Sequence, residues 1–169
     1  DWPAVAVVMP VRNEADHLAH AVAAIQAQEY PGPVKVCLAV APSTDETEQI
    51  ADQLAQADPA LLVVANPTGT TSAGLNAVIR ATTEPIIVRV DGHSVLSAGY
   101  IRRAVETMCR TGAVNVGGVQ RAVGTTPFGR AIAAAMTSRF GTGDARFHYG
   151  GPPGPTDTVY RGVFARRAL

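Results

Sequence analysis

The sequence predicts an α/β fold with a mostly parallel central sheet and helices on both faces, and three observations predict it. Short β-branched runs alternate with amphipathic stretches of about 10 to 15 residues, the pattern of right-handed crossovers between parallel strands. Helix-start signals stand in the gaps between run and stretch. The 169 residues, 47% of them hydrophobic, suffice for one continuous core and therefore for a single domain.

Each element has its own signal. Residues 5–9 form the first strand, and Leu18, Ala21, Val22 and Ile25 recur at helical spacing behind Asn13, a residue suited to cap that helix. Residues 34–40 form the second strand. The Ser43-Thr44-Asp45-Glu46 run after it has the form of a capping box, opening a helix with Ile50, Ala51 and Leu54 inward. Residues 61–65 are a third strand, residues 72–82 a helix, and residues 86–90 a fourth strand ending on Asp91. Ser97 is placed to cap a helix with Ile101, Val105 and Met108 inward and Gly112 as its stop, before a fifth strand over residues 114–119. Residues 128–140 read as an Ala-rich helix. Residues 141–155, rich in glycine and proline and carrying His148, read as a long loop of the kind that binds or covers a ligand.

The 14 basic and 14 acidic residues cancel, and no basic run appears, which argues against a nucleic-acid partner and favours a small polar one. Cys37 and Cys109 lie in apolar stretches without CxxC spacing and are expected to be reduced core thiols in a reducing compartment. No apolar run approaches the roughly 20 residues that span a bilayer. The chain opens on Asp1 and stops just after Arg166-Arg167, so we expect a domain cut at its C-terminus.

Pro10-Val11-Arg12-Asn13-Glu14, Ser43-Thr44-Asp45, Asn66 and Asp91-Gly92-His93 all fall at carboxyl ends of the expected parallel strands, where such sheets bind ligands. The loop after the first strand has neither Gly-x-Gly-x-x-Gly nor a P-loop Gly-Lys-Ser/Thr, so phosphates must be handled by other means. Asp91 and His93 supply one: a carboxylate and an imidazole two residues apart at a strand end can reach a divalent cation bridging a diphosphate. An isolated Asp-x-His is more often an ordinary turn, but an acid closing an apolar strand is costly unless paired or metal-bound.

In order along the chain, Val8-Met9-Pro10-Val11-Arg12-Asn13-Glu14, Ser43-Thr44-Asp45-Glu46-Thr47, Asn66-Pro67 with Ser72-Ala73-Gly74-Leu75-Asn76, Val88-Arg89-Val90-Asp91-Gly92-His93 and the stretch from Asp157 to Arg167 resemble the inverting family-two glycosyltransferases. The likeness is to the bacterial exopolysaccharide, succinoglycan-type members. It implies a GT-A fold, a nucleoside-diphosphate sugar as donor and a saccharide or lipid-linked saccharide as acceptor. By the same resemblance Pro10, Val11, Arg12, Asn13, Glu14, Ser43, Asp45, Asn66, Ser72, Gly74, Asn76, Asp91 and Gly92 bind the donor, and Asp91 and His93 hold Mn2+ or Mg2+. It also implies a catalytic base in a Glu-Asp pair that follows the Arg-Arg-x-Leu segment, hence beyond Leu169, with Asp157 and Asp144 as weak substitutes. The protein is then expected at the cytoplasmic face of the membrane, attached only through segments outside this sequence.

Two departures qualify the resemblance. Val40, Ala41 and Pro42 stand where the family carries base-binding acids, so Arg12, Asn13 and Asp45 are expected to take over nucleoside recognition. His93 replaces the second acid of the metal motif, which makes manganese at least as suitable as magnesium. Several of these residues have plainer duties available. Asp45 can stabilise a first helical turn with no ligand, Asn13 and Ser72 can serve as caps, and His17 and His20 suit a solvated helix face. The alternatives to a transferase are a donor-binding domain without turnover and a nucleotidyltransferase of related fold, the latter lacking its usual Gly-rich basic loop.

Overall fold

A computed structural model describes residues 1–124, 126–143 and 145–169. Strand β1 (Val5–Val11) is buried at every residue but Pro10, because it has a strand on either edge and helices on both faces. Around it lie β2 (Val34–Val40), β3 (Leu61–Ala65), β4 (Ile86–Arg89), β5 (Asn115–Val116) and β6 (Val163–Ala165), in the order β3-β2-β1-β4-β6-β5. The first four pair in parallel, with Val5 opposite both Val34 and Ile86. β6 runs antiparallel to its neighbours β4 and β5.

The period-2 alternation of β1 sorts the core into two layers. Val5, Val7, Met9 and Val11 face α1 (Leu18–Gln26), α2 (Thr47–Ala57) and α4 (Tyr100–Thr111), while Ala6 and Val8 face α3 (Thr71–Arg80) through Val78. The predicted inner residues Ile101, Val105 and Met108 of α4 are buried, and Gly112 ends that helix at φ 72°, a conformation that needs glycine. The apolar helix α5 (Pro127–Met136), capped by Thr126, buries no residue. It is followed by two short helices, α6 (Arg139–Thr142) and α7 (Arg146–Tyr149), inside the stretch expected to be a loop, and the chain closes on a 3-10 turn (Arg166–Ala168).

Several local expectations are corrected. β1 runs on through Pro10, whose missing N–H falls on the side where pairing with β4 has already ended at Val8. β5 keeps only two residues, since β6, its only strand partner among the described residues, has three. Asn13 is no helix cap: it sits at φ 54°, and α1 starts after His17 without a side-chain cap. Thr70 rather than Ser72 caps α3, its Oγ1 accepting from the Ala73 amide at 3.4 Å. Ser97 gives only its carbonyl to the Tyr100 amide, and left-handed Gly99 occupies the cap position of α4. Cys37 is buried, its thiol pushed up to about 11 chiefly by desolvation, but Cys109 is exposed on α4 and not a core thiol. Among the described residues no helix is long and apolar enough to cross a membrane.

Candidate functional site

The carboxyl ends of β1 and β4 diverge beyond Val8 and Arg89, and the gap between them is a crevice of about 170 Å3. That is less than the roughly 300 Å3 at which pockets begin to enclose a whole ligand, so the crevice has room for only part of one. Its walls bring together Pro10 and Val11 from the end of β1, Arg12 and Glu14 just after it, Ala41 after β2, Asn66 and Gly69 before α3, Thr71 at the start of α3, Arg89 at the end of β4, and Asp91, Gly92 and His93 after it. Seven of the residues expected to bind the donor are therefore gathered in one place, with His93 beside them. Asn13, Ser43, Asp45, Ser72, Gly74 and Asn76 do not line it.

Those six have other work or face solvent. Asn13 donates its amide to Ser43 Oγ at 3.1 Å and accepts from the Thr44 amide at 2.9 Å. Asp45 accepts from the Thr47 hydroxyl and amide through Oδ1 and from the Ala15 amide through Oδ2. These bonds, the Thr47 hydroxyl first, hold the Asp45 carboxyl below the usual carboxylate range. Thr47, fully buried, also takes the Glu14 amide at 2.7 Å. The loop after β1 is thus stitched to the turn after β2, and the stitching orients Arg12 and Glu14 toward the crevice. Gly74 is a contact point between helix and sheet: a Cβ there would lie 2.8 Å from Asn66 Nδ2 and 3.1 Å from Ala39 Cβ. Ser72 and Asn76 are exposed on α3.

Asn66 is almost fully buried and shapes the crevice through its loop, donating to the Thr70 carbonyl at 3.0 Å and accepting from Thr68 Oγ1 at 3.1 Å. Gly69, at φ 69°, lets that loop pass 3.6 Å from the exposed Arg12 guanidinium, measured from where a Cβ would stand. Gly92 is equally close-packed, its missing Cβ only 2.8 Å from Glu14 Cγ.

The charges are paired across the crevice. His93 Nδ1 lies 2.9 Å from Glu14 Oε1. Asp91 meets two guanidinium groups, with Arg161 Nη2 2.9 Å from Oδ2 and Arg89 Nε 3.4 Å from Oδ1. Among the described residues no cluster of three His, Cys, Asp or Glu side chains could hold a metal. Asp91 and His93, a carboxylate and an imidazole with the Glu14 carboxylate beside them, still fit a hard or borderline cation such as Mg2+ or Mn2+, which commonly takes one or two protein ligands and fills its shell with phosphate oxygens and water.

Sequence reasoning missed Arg89, Gly69, Thr71, Thr47 and Arg161. A charge two residues before Asp91 in an otherwise apolar strand was a readable signal for Arg89. Arg161 stood only as part of the family-like stretch from Asp157 to Arg167, because it is the antiparallel return of β6 that brings it beside Asp91. Of the weak candidate bases, Asp157 is exposed and does not line the crevice, and Asp144 lies outside the described residues. His148 borders a separate cavity with Val119, Gln120, Arg121 and Thr137. His17 and His20 are exposed on the first helix and its approach.

Residues 6–169 match the sequence profile of Glycosyl transferase family 2. The Succinoglycan biosynthesis protein ExoA of Rhizobium meliloti is 32% identical over 146 residues, which cover 85% of this chain and 44% of that protein. Among solved structures, the mannosyltransferase PcManGT of Pyrobaculum calidifontis, in complex with GDP-Man and Mn2+, shares the fold at a TM-score of 0.71 and 22% identity, over 99% of this chain and 46% of that one. S. aureus TarS in complex with UDP superimposes at a TM-score of 0.64 and 16% identity, over 72% of this chain and 37% of that one. The chain therefore spans less than half the length of each of these relatives. Its sheet is of the GT-A glycosyltransferase type, and by the match from residue 6 to residue 169 the chain belongs to Glycosyl transferase family 2.

Proposed function

We propose that the crevice binds a nucleoside-diphosphate sugar together with Mn2+ or Mg2+. The whole protein, on this reading, transfers the sugar with inversion to a hydroxyl of a saccharide or lipid-linked saccharide, in bacterial polysaccharide or glycolipid synthesis at the cytoplasmic face of the membrane. The observation that carries the reading is the convergence of Asp91, His93, Glu14, Arg12 and Arg89 at the carboxyl ends of β1 and β4. The succinoglycan protein's name and the GDP-Man and Mn2+ complex of the mannosyltransferase agree with it.

A cation bound there would neutralise charge on the departing diphosphate. Asp91 and His93 are the residues assigned to hold it, which requires Glu14 to release the imidazole nitrogen it now contacts or His93 to use its other one. Arg12, exposed above Gly69, is assigned to the nucleoside or its phosphate. Asn13 and Asp45 support Arg12 through the stitched loops rather than by contact, which modifies the recognition expected from the sequence. The acceptor oxygen attacks the anomeric carbon opposite the diphosphate, the bond to the diphosphate breaks, and a base takes the hydroxyl proton. We place that base beyond Leu169, a placement supported by the greater length of the relatives.

Calorimetry with a panel of nucleoside-diphosphate sugars tests the donor site. Binding that needs Mn2+ and weakens at least about tenfold in Asp91→Asn supports it, since a tenfold change is only about 1.4 kcal/mol of interaction. Equal binding with Mn2+, with chelator and in the variant would refute it. The presence of Ala41 where the family carries an acid favours one second reading, a donor-binding domain without turnover. Metal-dependent binding by the full-length protein with no transfer to any acceptor would select that reading.

A further inference from the structure

Arg161 does not itself line the crevice, but it reaches Asp91 at the crevice wall, and the proposed function leaves it without a task. It follows Tyr160 at φ 44°, a left-handed backbone that is unfavourable for an arginine, and it is held there from two sides. The Tyr100 hydroxyl donates to its carbonyl at 3.4 Å, and the next carbonyl, of Gly162, accepts from the Arg89 amide at 3.2 Å. The guanidinium lies 4.5 Å above the Tyr160 ring and reaches Asp91 Oδ2 at 2.9 Å. Its side chain is only 18% exposed, and its Nε is buried with no hydrogen-bond partner among the described residues. Arg89 Nε occupies the other oxygen of the same carboxylate. Both oxygens of the residue assigned to the metal are therefore already in contact with positive charge.

We propose that Arg161 is a positioning residue that competes with the divalent cation for Asp91 and makes metal binding conditional on the donor. The inference rests on the reading of the crevice as a metal-dependent donor site. A cation at about 2.0 to 2.6 Å from an Asp91 oxygen would face a guanidinium at that same oxygen, and one carboxylate cannot offset both. The negative diphosphate changes the balance, because it adds ligands for the cation and accepts the guanidinium released from Asp91. Donor and metal then strengthen each other's binding by the same factor, as linkage requires. Stacking on Tyr160 gives Arg161 a fixed place to turn from.

The test measures Mn2+ affinity by electron paramagnetic resonance and by calorimetry, with and without a nucleoside diphosphate, in the wild type, Arg161→Gln, Arg161→Lys and Asp91→Asn. We expect weak Mn2+ binding by the wild type alone and at least about tenfold tighter binding when the nucleotide is present. Arg161→Gln should bind Mn2+ alone about tenfold more tightly than the wild type and gain much less from nucleotide. Arg161→Lys, which keeps the charge, should stay within about threefold of the wild type. Unchanged or weaker Mn2+ binding by Arg161→Gln overturns the proposal, as does a lysine variant that behaves like glutamine. If Arg161→Gln does not fold, the wild type and Arg161→Lys decide, since Mn2+ binding indifferent to nucleotide in both overturns it equally. Mn2+ binding unaffected by Asp91→Asn is a different result, and it rejects the donor-site reading itself.

Discussion

Asn13 and Thr44 hold each other across two loops, the Asn13 side-chain oxygen accepting the Thr44 amide at 2.9 Å. Beside them Asp45 binds Thr47 and Ala15, so the loop after β1 and the turn after β2 move as one piece. Because these bonds lower the Asp45 pKa, its contribution to stability is present above the unfolded value of about 3.9 and is lost as pH falls through the lower folded value. Asp45→Asn should therefore melt below the wild type near neutral pH, and the gap should close in acid. A melting-temperature gap that is constant across pH would contradict this.

Gly74→Ala should destabilise the protein, although alanine is favoured over glycine in a helix by about 1 kcal/mol. The added methyl meets the buried Asn66 amide at 2.8 Å and Ala39 at 3.1 Å. Overpacking of that kind costs about 1 to 3 kcal/mol, and Asn66 would have to loosen its hold on the Thr70 carbonyl. Urea unfolding should show a net loss of about 1 kcal/mol, together with weaker nucleotide binding.

Arg166 joins the end of β6 to the far end of α3, donating to the carbonyls of Glu84 at 2.7 Å and Ile79 at 2.9 Å and to Thr82 Oγ1 at 2.8 Å. Hydrogen bonds with a charged partner contribute about 1.5 to 3 kcal/mol. Arg166→Ala should lose about 2 to 3 kcal/mol in chemical denaturation, and Arg166→Lys should recover less than half, since one ammonium cannot reach three acceptors. The exposed neighbour changed in Arg167→Ala should stay within about 0.5 kcal/mol of the wild type.

The two thiols should separate by reactivity. Cys109 is exposed, while Cys37 is buried between sheet and α3 with its pKa pushed up to about 11. A colorimetric thiol reagent near neutral pH should titrate one equivalent rapidly and the second only after denaturant is added. Rapid reaction of both would mean that the layer over Cys37 opens readily.

What the sequence disclosed was whatever periodicity and strand-end chemistry carry. The β1 to β4 alternation, the inward face of α4 and the gathering of Arg12, Glu14, Asp91 and His93 were all readable. Side-chain bonds that join distant loops were not: Asn13 looked like a cap because nothing local announces that its partner is Thr44. Cys109 looked buried because it follows Met108, which is inward, whereas one helical step turns a residue by about 100°. The contact of Arg161 with Asp91 was invisible for the same kind of reason, its position set by an antiparallel strand of three residues.

The placement of β6 also bears on the order in which the molecule assembles as it is synthesised. Strands β1 to β4 can pair once residues 86–89 have left the ribosome, but among the described residues β5 has no strand neighbour other than β6. Until Val163–Ala165 arrive, the β4 edge is open and β5 hangs unpaired, the state in which sheets recruit other chains. Pulse-labelled hydrogen exchange during refolding should find β1 and β2 protected before β5. The same late strand delivers Arg161 to Asp91, so the nascent crevice passes through a stage with only Arg89 beside its acid and the second counter-charge still to come.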